Sequence, residues 1–270
     1  EDPNVKGDYT LKLINNIAVG PENSIWIIDN VDQLYFKQKD LSWITIPNNK
    51  NDSSSQFLDI SVGSNIPKGT NLSIWAIDKN NKIYLRKETS IQNLQGTDWI
   101  EVSFQGNIKA EQPKQISVGP EGNVAIITTK ENLYYKQATG NRWLEITKTG
   151  LNSSEALKQI KLGPNGNAWL LNKNQKIYFI NNIIGTAETW QEITDGYLSE
   201  IAVNLNGTVF GINSNGTLYK RANTQVSPIG SGWLKIKENV QKISILSNDS
   251  PICINRSYYE FYNQNQTRYS

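Results

Sequence analysis

The 270 residues carry 27 Lys and Arg against 25 Asp and Glu, a formal charge of +2. That charge is too small and too scattered to draw the chain to nucleic acid or an anionic surface. No apolar run approaches the roughly 18 residues of a membrane span. Histidine is absent and Cys253 is the only cysteine, which removes the commonest general base, the usual zinc ligand sets and any internal disulfide.

In chain order, the first strand-like segment is Asp8 to Leu13, which has no neighbour of its own. A pattern then begins that occurs six times. Each copy opens on a short β-branched run: Ile17 to Gly20, Ile60 to Gly63, Ile116 to Gly119, Ile160 to Gly163, Ile201 to Asn204 and Ile243 to Leu246. Gly- and Asn-rich turns follow, as at Glu121 to Asn123 and Asn165 to Asn167, and they suit tight hairpins. A second strand carries a bulky residue, at Trp26, Trp75, Ala125, Trp169, Phe210 and Ile252. Nine positions on, a third strand carries an aromatic, at Tyr35, Tyr84, Tyr134, Tyr178, Tyr219 and Phe261. In five copies a fourth strand starts at Trp43, Trp99, Trp143, Trp190 or Trp233.

Repeats of roughly 41 to 56 residues, each one supersecondary unit, point to a propeller or other repeat architecture. Four strands per copy make a blade. The expectation is one all-β domain over residues 1–270, a six-bladed β-propeller of four-stranded blades. The sixth copy lacks its Trp-led strand, so the N-terminal strand at residues 8–13 is expected to close the last blade and remove its free edges.

The ordered set of Ile60 to Gly63, Ile74 to Asp78 and Ile83 to Arg86, preceded by Trp-x-x-Ile, resembles the tectonin repeat. Val209 to Asn213 with Leu218 to Arg221 is similar, and the resemblance runs from about Ile14 to Phe261. It implies a six-bladed propeller with a lectin-like role, as in secreted and surface lectins that bind microbial glycans. Other members of that family are intracellular modules that bind lipids or proteins. Ala125, Ile252, Ile180 and Asn263 depart from the repeat, so six equivalent sites are not expected.

Two readings apply to the polar positions. Asp29, Asp78, Asn172, Asn213 and Asn255 all open the same turn, and such residues favour turns by bonding their own backbone. With Arg86, Lys136 and Arg221 on the return strand, Asp29, Asp78 and Asn213 also present groups able to grip sugar hydroxyls. The ligand-binding set is therefore Asp29, Asp78, Arg86, Lys136, Asn213 and Arg221, with Asp78–Arg86 and Asn213–Arg221 as pairs across one hairpin. Weak sites repeated round a ring gain avidity of about 10²–10⁴. The recurring Trp residues, held at fixed register, are expected to pack between blades, and Cys253 to be a buried small apolar residue.

The leading function is therefore carbohydrate binding, with glycans or glycoproteins of microbial or cell surfaces as partners. The alternative is a scaffold propeller that contacts proteins in an assembly. No sialidase-type Asp box and no fixed acid–base pair is present, so the chain is expected not to be an enzyme and to need no cofactor or metal. Methionine is absent even at position 1, consistent with a removed signal peptide and a secreted protein, a cytoplasmic one being the alternative. Secretion would make Asn51, Asn71 and Asn152 glycosylation candidates.

Overall fold

A computed structural model describes residues 14–47, 56–65, 71–104, 111–152, 154–185 and 188–255, and the strands at 261–262 and 268–269. Five four-stranded antiparallel sheets follow one another along the chain. The first contains β1 (Ile14–Val19), β2 (Ile25–Asp29), β3 (Leu34–Lys37) and β4 (Trp43–Thr45). The second holds β5 (Phe57–Asn65), β6 (Asn71–Asp78), β7 (Ile83–Arg86) and β8 (Trp99–Val102). The third has β9 (Pro113–Val118), β10 (Val124–Thr128), β11 (Leu133–Lys136) and β12 (Leu144–Ile146). The fourth has β13 (Leu157–Leu162), β14 (Ala168–Asn172), β15 (Ile177–Ile180) and β16 (Gln191–Ile193). The fifth has β17 (Glu200–Val203), β18 (Val209–Ile212), β19 (Leu218–Ala222) and β20 (Ser231–Lys237).

The sixth repeat differs from expectation. It forms a two-stranded sheet, β21 (Val240–Ile245) with β22 (Pro251–Asn255), while β23 (Phe261–Tyr262) pairs with β24 (Arg268–Tyr269) in a separate ribbon. Among the described residues there are thus five four-stranded blades, not six. The sixth copy has no Trp-led strand to place on its outer side, and Phe261, the expected third-strand aromatic, pairs with Tyr269 instead of with β22. The proposed closing strand at residues 8–13 lies outside the described residues.

The β21–β22 hairpin nevertheless occupies the place between the last blade and the first. One of its faces packs Val240, Ile243, Ile245 and Cys253 on Phe210 and Leu218 of the fifth blade. The other packs Leu246, Ile252 and Ile254 on Ile14, Ile17, Ile25 and Ile27 of the first. Cys253 is buried as expected, and burial pushes its thiol up to about 12.

The core is a series of layers between blades. Trp26, Trp169 and Phe210 are fully enclosed and Trp75 nearly so. Trp99, Trp143 and Trp190 of the outer column are buried as well, so both Trp columns serve packing. The Ile-x-Val-Gly motif has a steric cause. A Cβ at Gly63 would lie 2.5 Å from the Gly119 carbonyl oxygen, and one at Gly20 would lie 2.1 Å from Val62 Cγ1. These glycines stand where neighbouring inner strands come closest.

A polar column that the repeat also encodes ties the blades together. The residue before each inner-strand Ile is Asn16, Asp59, Gln115, Gln159, Glu200 or Lys242. The Ile116 amide donates to Asp59 Oδ2 at 2.7 Å, and the Ile160 amide to Gln115 Oε1 at 2.9 Å. The Ile201 amide donates to Gln159 Oε1 at 2.9 Å, and the Ile243 amide to Glu200 Oε1 at 3.0 Å. Each link satisfies an inner-edge N–H that would otherwise be buried without a partner. A second tier repeats the arrangement with hydroxyls. The amides of Val118, Leu162 and Val19 donate to Ser61, Ser117 and Ser244 at 2.9, 2.9 and 3.2 Å.

Candidate binding groove between the second and third blades

In an antiparallel four-stranded blade, the first and third connections emerge on one face of the ring and the second on the other. Asp29, Asp78 and Asn213 open second connections, so they lie on one face. Arg86, Lys136 and Arg221 end third strands, or nearly so, and lie towards the opposite face.

Asp29 and Asp78 are held by their turns and by third-strand tyrosines, and Asn213 commits its side-chain oxygen to its turn. The amides of Val31 and Gln33 donate to Asp29 Oδ1 at 3.0 and 2.8 Å, and the Tyr35 hydroxyl to Oδ2 at 3.2 Å. The Lys82 amide donates to Asp78 Oδ1 at 2.8 Å, and the Tyr84 hydroxyl to Oδ2 at 3.4 Å. The amides of Asn215 and Thr217 donate to Asn213 Oδ1 at 3.1 and 2.9 Å. Asp29 and Asp78 are essentially inaccessible. Thr128, which breaks the Asx pattern of the sequence, does the same work by accepting the Asn132 amide at 3.2 Å.

The expected pairs are therefore not formed. Ile77 faces Ile83, which sets Asp78 beside Lys82 and leaves Arg86 four residues further along β7. At about 3.3 Å per residue the separation along the strand is roughly 13 Å. Asn213 and Arg221 are separated in the same way, since Ile212 faces Leu218.

Both arginines are buried and braced. The Arg86 guanidinium lies 5.1 Å from the Trp99 ring centroid, and its Nε–H donates to the Gln95 carbonyl at 3.0 Å. Burial lowers its pKa to about 10, against the attraction of Asp98. Arg221 sits 5.0 Å from the Trp233 ring and donates through Nε to Ile229 O at 3.0 Å. Its Nη1 reaches both oxygens of Asp195 at 2.7 Å. Asp195 also accepts from the Gly232 amide and Trp233 Nε1 at 3.1 Å each. Burial alone would raise the Asp195 pKa, but the Arg221 contact and these donors outweigh it and hold the carboxyl below its usual range.

Two of the six residues, Arg86 and Lys136, do meet at one site. An open groove of about 730 Å³ runs between the second and third blades and is lined by both. Its floor includes Leu72, Leu85 and Trp75, and its rim carries Lys87, Ser90 and Asn141. The Lys136 ammonium stands 5.8 Å from the Trp75 ring centroid and donates to the main-chain carbonyls of Gly140 and Gln137. Burial lowers its pKa from the ordinary lysine value. Thr89 is fixed by donating to the Leu72 carbonyl at 2.6 Å. Mixed apolar floor and polar rim suit a ligand with both kinds of surface. The groove joins two blades, and no spacing within one repeat signals it. The long segment after β7, 87–98, is the feature of the sequence that marks its wall.

Among the described residues, no group of three or more His, Cys, Asp or Glu is placed to hold a metal ion. No helix of the described residues is long and apolar enough to cross a membrane. Of the glycosylation candidates, Asn152 is exposed, and its amide group bonds Glu155 and Ser154. Asn51 lies outside the described residues. Asn71 begins β6, and its side chain is not among those described.

Repeated four-stranded antiparallel blades closed by inter-blade packing define the β-propeller class. Residues 9–113 and 109–255 match the Tectonin domain; the chain belongs to the tectonin family. No curated protein matches it. Among solved structures it is similar to YCF48 from Cyanidioschyzon merolae, with a TM-score of 0.57 and 10% identity over 96% of this chain and 84% of that one. It is also similar to YCF48 bound to D1 peptide, with a TM-score of 0.54 and 17% identity over 87% and 74%. Virginiamycin B lyase from Staphylococcus aureus is a third, with a TM-score of 0.54 and 13% identity over 96% and 86%. At these identities the likeness is one of fold.

Proposed function

We propose that the chain is a carbohydrate-binding propeller whose main site is the groove between the second and third blades. The observation that carries this reading is the groove itself, which combines an apolar floor at Leu72, Leu85 and Trp75, with the half-buried Lys136 over the Trp75 ring, and hydroxyl, amide and ammonium groups on the rim. Hydroxyls, amides and cations recognise sugar hydroxyls by directional hydrogen bonds. The apolar floor covers the C–H face of a ring. Lys87 and Asn141 are the exposed rim groups to test, because neither holds the fold together. Lys87→Ala and Asn141→Ala should each weaken binding on a glycan array by about 5- to 20-fold, in line with a lost hydrogen bond to a ligand. An array on which the protein binds no glycan, or on which the double variant binds like the parent, would reject the site.

A second reading, a protein-contacting scaffold, is favoured by β20. This edge strand is seven residues long, with Leu234 and Ile236 exposed on it, 57% and 38%. An unpaired edge of this kind can accept an added strand. YCF48, which shares the fold, has been captured with a peptide. Leu234→Lys should abolish a protein contact at this edge and leave glycan binding intact. The proposed setting is extracellular, with Asn152 as a glycan acceptor; mass spectrometry of protein from a secreting cell finding no mass added at Asn152 would count against it.

A further inference from the structure

The inner strands surround a small, partly open cavity on the ring axis, about 50 Å³ in volume. The position two residues after the acceptor column lines it, with Ser61, Ser117, Lys161 and Ser244 as its polar members and Ala18 and Ala202 between them. Each of the three serine oxygens already accepts an amide from the next blade. Their hydroxyl protons have no acceptor among the described residues, and neither has the Lys161 ammonium. The nearest carboxylate in charge terms is Asp59, whose field Lys161 shares. Asp59 is already occupied by the amides of Ile60 and Ile116 and by the Asn16 side chain. Glu200 is held by Lys242 at 3.1 Å and by the Ile243 amide. The cavity wall therefore offers three hydroxyl donors and one cation, with the nearby carboxylates Asp59 and Glu200 already engaged.

We propose that this axial cavity binds a small inorganic anion such as a halide, held by Lys161 and the hydroxyls of Ser61, Ser117 and Ser244. Hydroxyl donors gathered round a lysine do not suit a cation, and Asp59 reaches Lys161 through its field alone, with no ion-pair contact between them among the described residues. One water needs roughly 10–15 Å³ of such volume, so the cavity admits a monatomic anion with a water or two and excludes a sugar. The site is distinct from the groove and does not depend on it. The anion would bridge inner strands of the second, third, fourth and sixth repeats, and so act on stability.

The test uses the whole chain. Crystals grown in sodium bromide should show an anomalous peak on the axis within hydrogen-bond reach of Lys161 Nζ; ordered water there with no bromide would overturn the proposal. In solution, halide at fixed ionic strength, balanced with a large organic anion, should raise Tm along a saturating curve. For Lys161→Gln the half-saturating concentration should rise at least tenfold. A non-saturating response, or one the variant retains unchanged, would reject the site. Should the variant fail to fold, the bromide peak in the parent decides alone.

Discussion

At the residue scale, the polar positions that look like ligand-binding groups divide by what they already hold. Asp78 accepts a buried turn amide and a tyrosine hydroxyl, so Asp78→Ala leaves both unpaired. The expected loss is about 1–3 kcal/mol, read as a lower denaturant midpoint with unchanged slope. Arg221→Ala removes a stacked cation and the partner of Asp195, which is itself partly exposed and so worth less than a fully buried pair. A loss of about 2 kcal/mol would lower Tm by roughly 4–8 °C in a domain of this size. Arg86→Ala should behave in the same way for the same reason. A melting temperature within a degree of the parent would show that these guanidinium groups are free for a ligand. The pH dependence follows from the depressed Asp195 pKa. Its folded value lies below the unfolded one, so its contribution is present above the unfolded pKa and is lost as pH falls through the folded value. Asp195→Asn should therefore flatten the acid limb of the stability curve.

At the element scale, the period of the Trp and Tyr columns was enough to place most strands, because packing between blades demands the same large side chain at the same register in each copy. Ile17, Ile60, Ile116, Ile160, Ile201 and Ile243 fall on inner strands as their spacing predicts. What spacing could not supply was which end of a hairpin a residue occupies relative to the ring. Asp78 and Arg86 are close in sequence, yet the β6–β7 register puts them at opposite ends of the strand. The polar column of Asp59, Gln115, Gln159 and Glu200 was readable as residues but its role was not, since its acceptors serve the next blade and not their own. The glycines of the inner strands make a sharp prediction. Gly63→Ala drives a Cβ to 2.5 Å from a backbone oxygen of the adjacent blade, and overpacking of this kind costs about 1–3 kcal/mol. Gly232→Ala has nothing within 4 Å of the added carbon, but its φ of +63° strains a side chain, so its loss should be about 1 kcal/mol or less. Thermal melts of the two variants should rank in that order.

At the scale of the whole molecule, a carboxylate buried on the inner ring contributes to the response to pH with the opposite sign to Asp195. Burial raises the Asp59 pKa, although Lys161, the Ile116 and Ile60 amides and the Asn16 side chain all pull it down. A group raised on folding contributes stability that is full below its unfolded value near 3.8 and is lost as pH climbs through the folded value. Asp59→Asn should remove that slope at pH values above the unfolded carboxylate range, measured as denaturant midpoint against pH; a variant curve parallel to the parent's would show the carboxylate to be unperturbed. The sixth repeat is where whole-molecule inference from the sequence failed. Six copies led to an expectation of six blades, and five four-stranded ones stand among the described residues, because counting copies says nothing about how many strands a degenerate copy retains once its Trp-led segment is missing.

The acceptor column ends in a lysine, and that reversal where the hairpin meets the first blade gives the ring a place to come apart. Lys242 turns back to Glu200, and a lysine cannot accept the Ile17 amide as its counterparts accept those of Ile116, Ile160, Ile201 and Ile243. Only the second-tier contact from Val19 to Ser244, and the Asn23 side chain that receives the Ser247 amide and hydroxyl, hold this junction by hydrogen bonds between the described residues. The molecule then resembles a split washer more than a seamless ring. Slow breathing should start at the junction of the hairpin and the first blade, so that deuterium enters at Ile17 well before it reaches the four capped isoleucines.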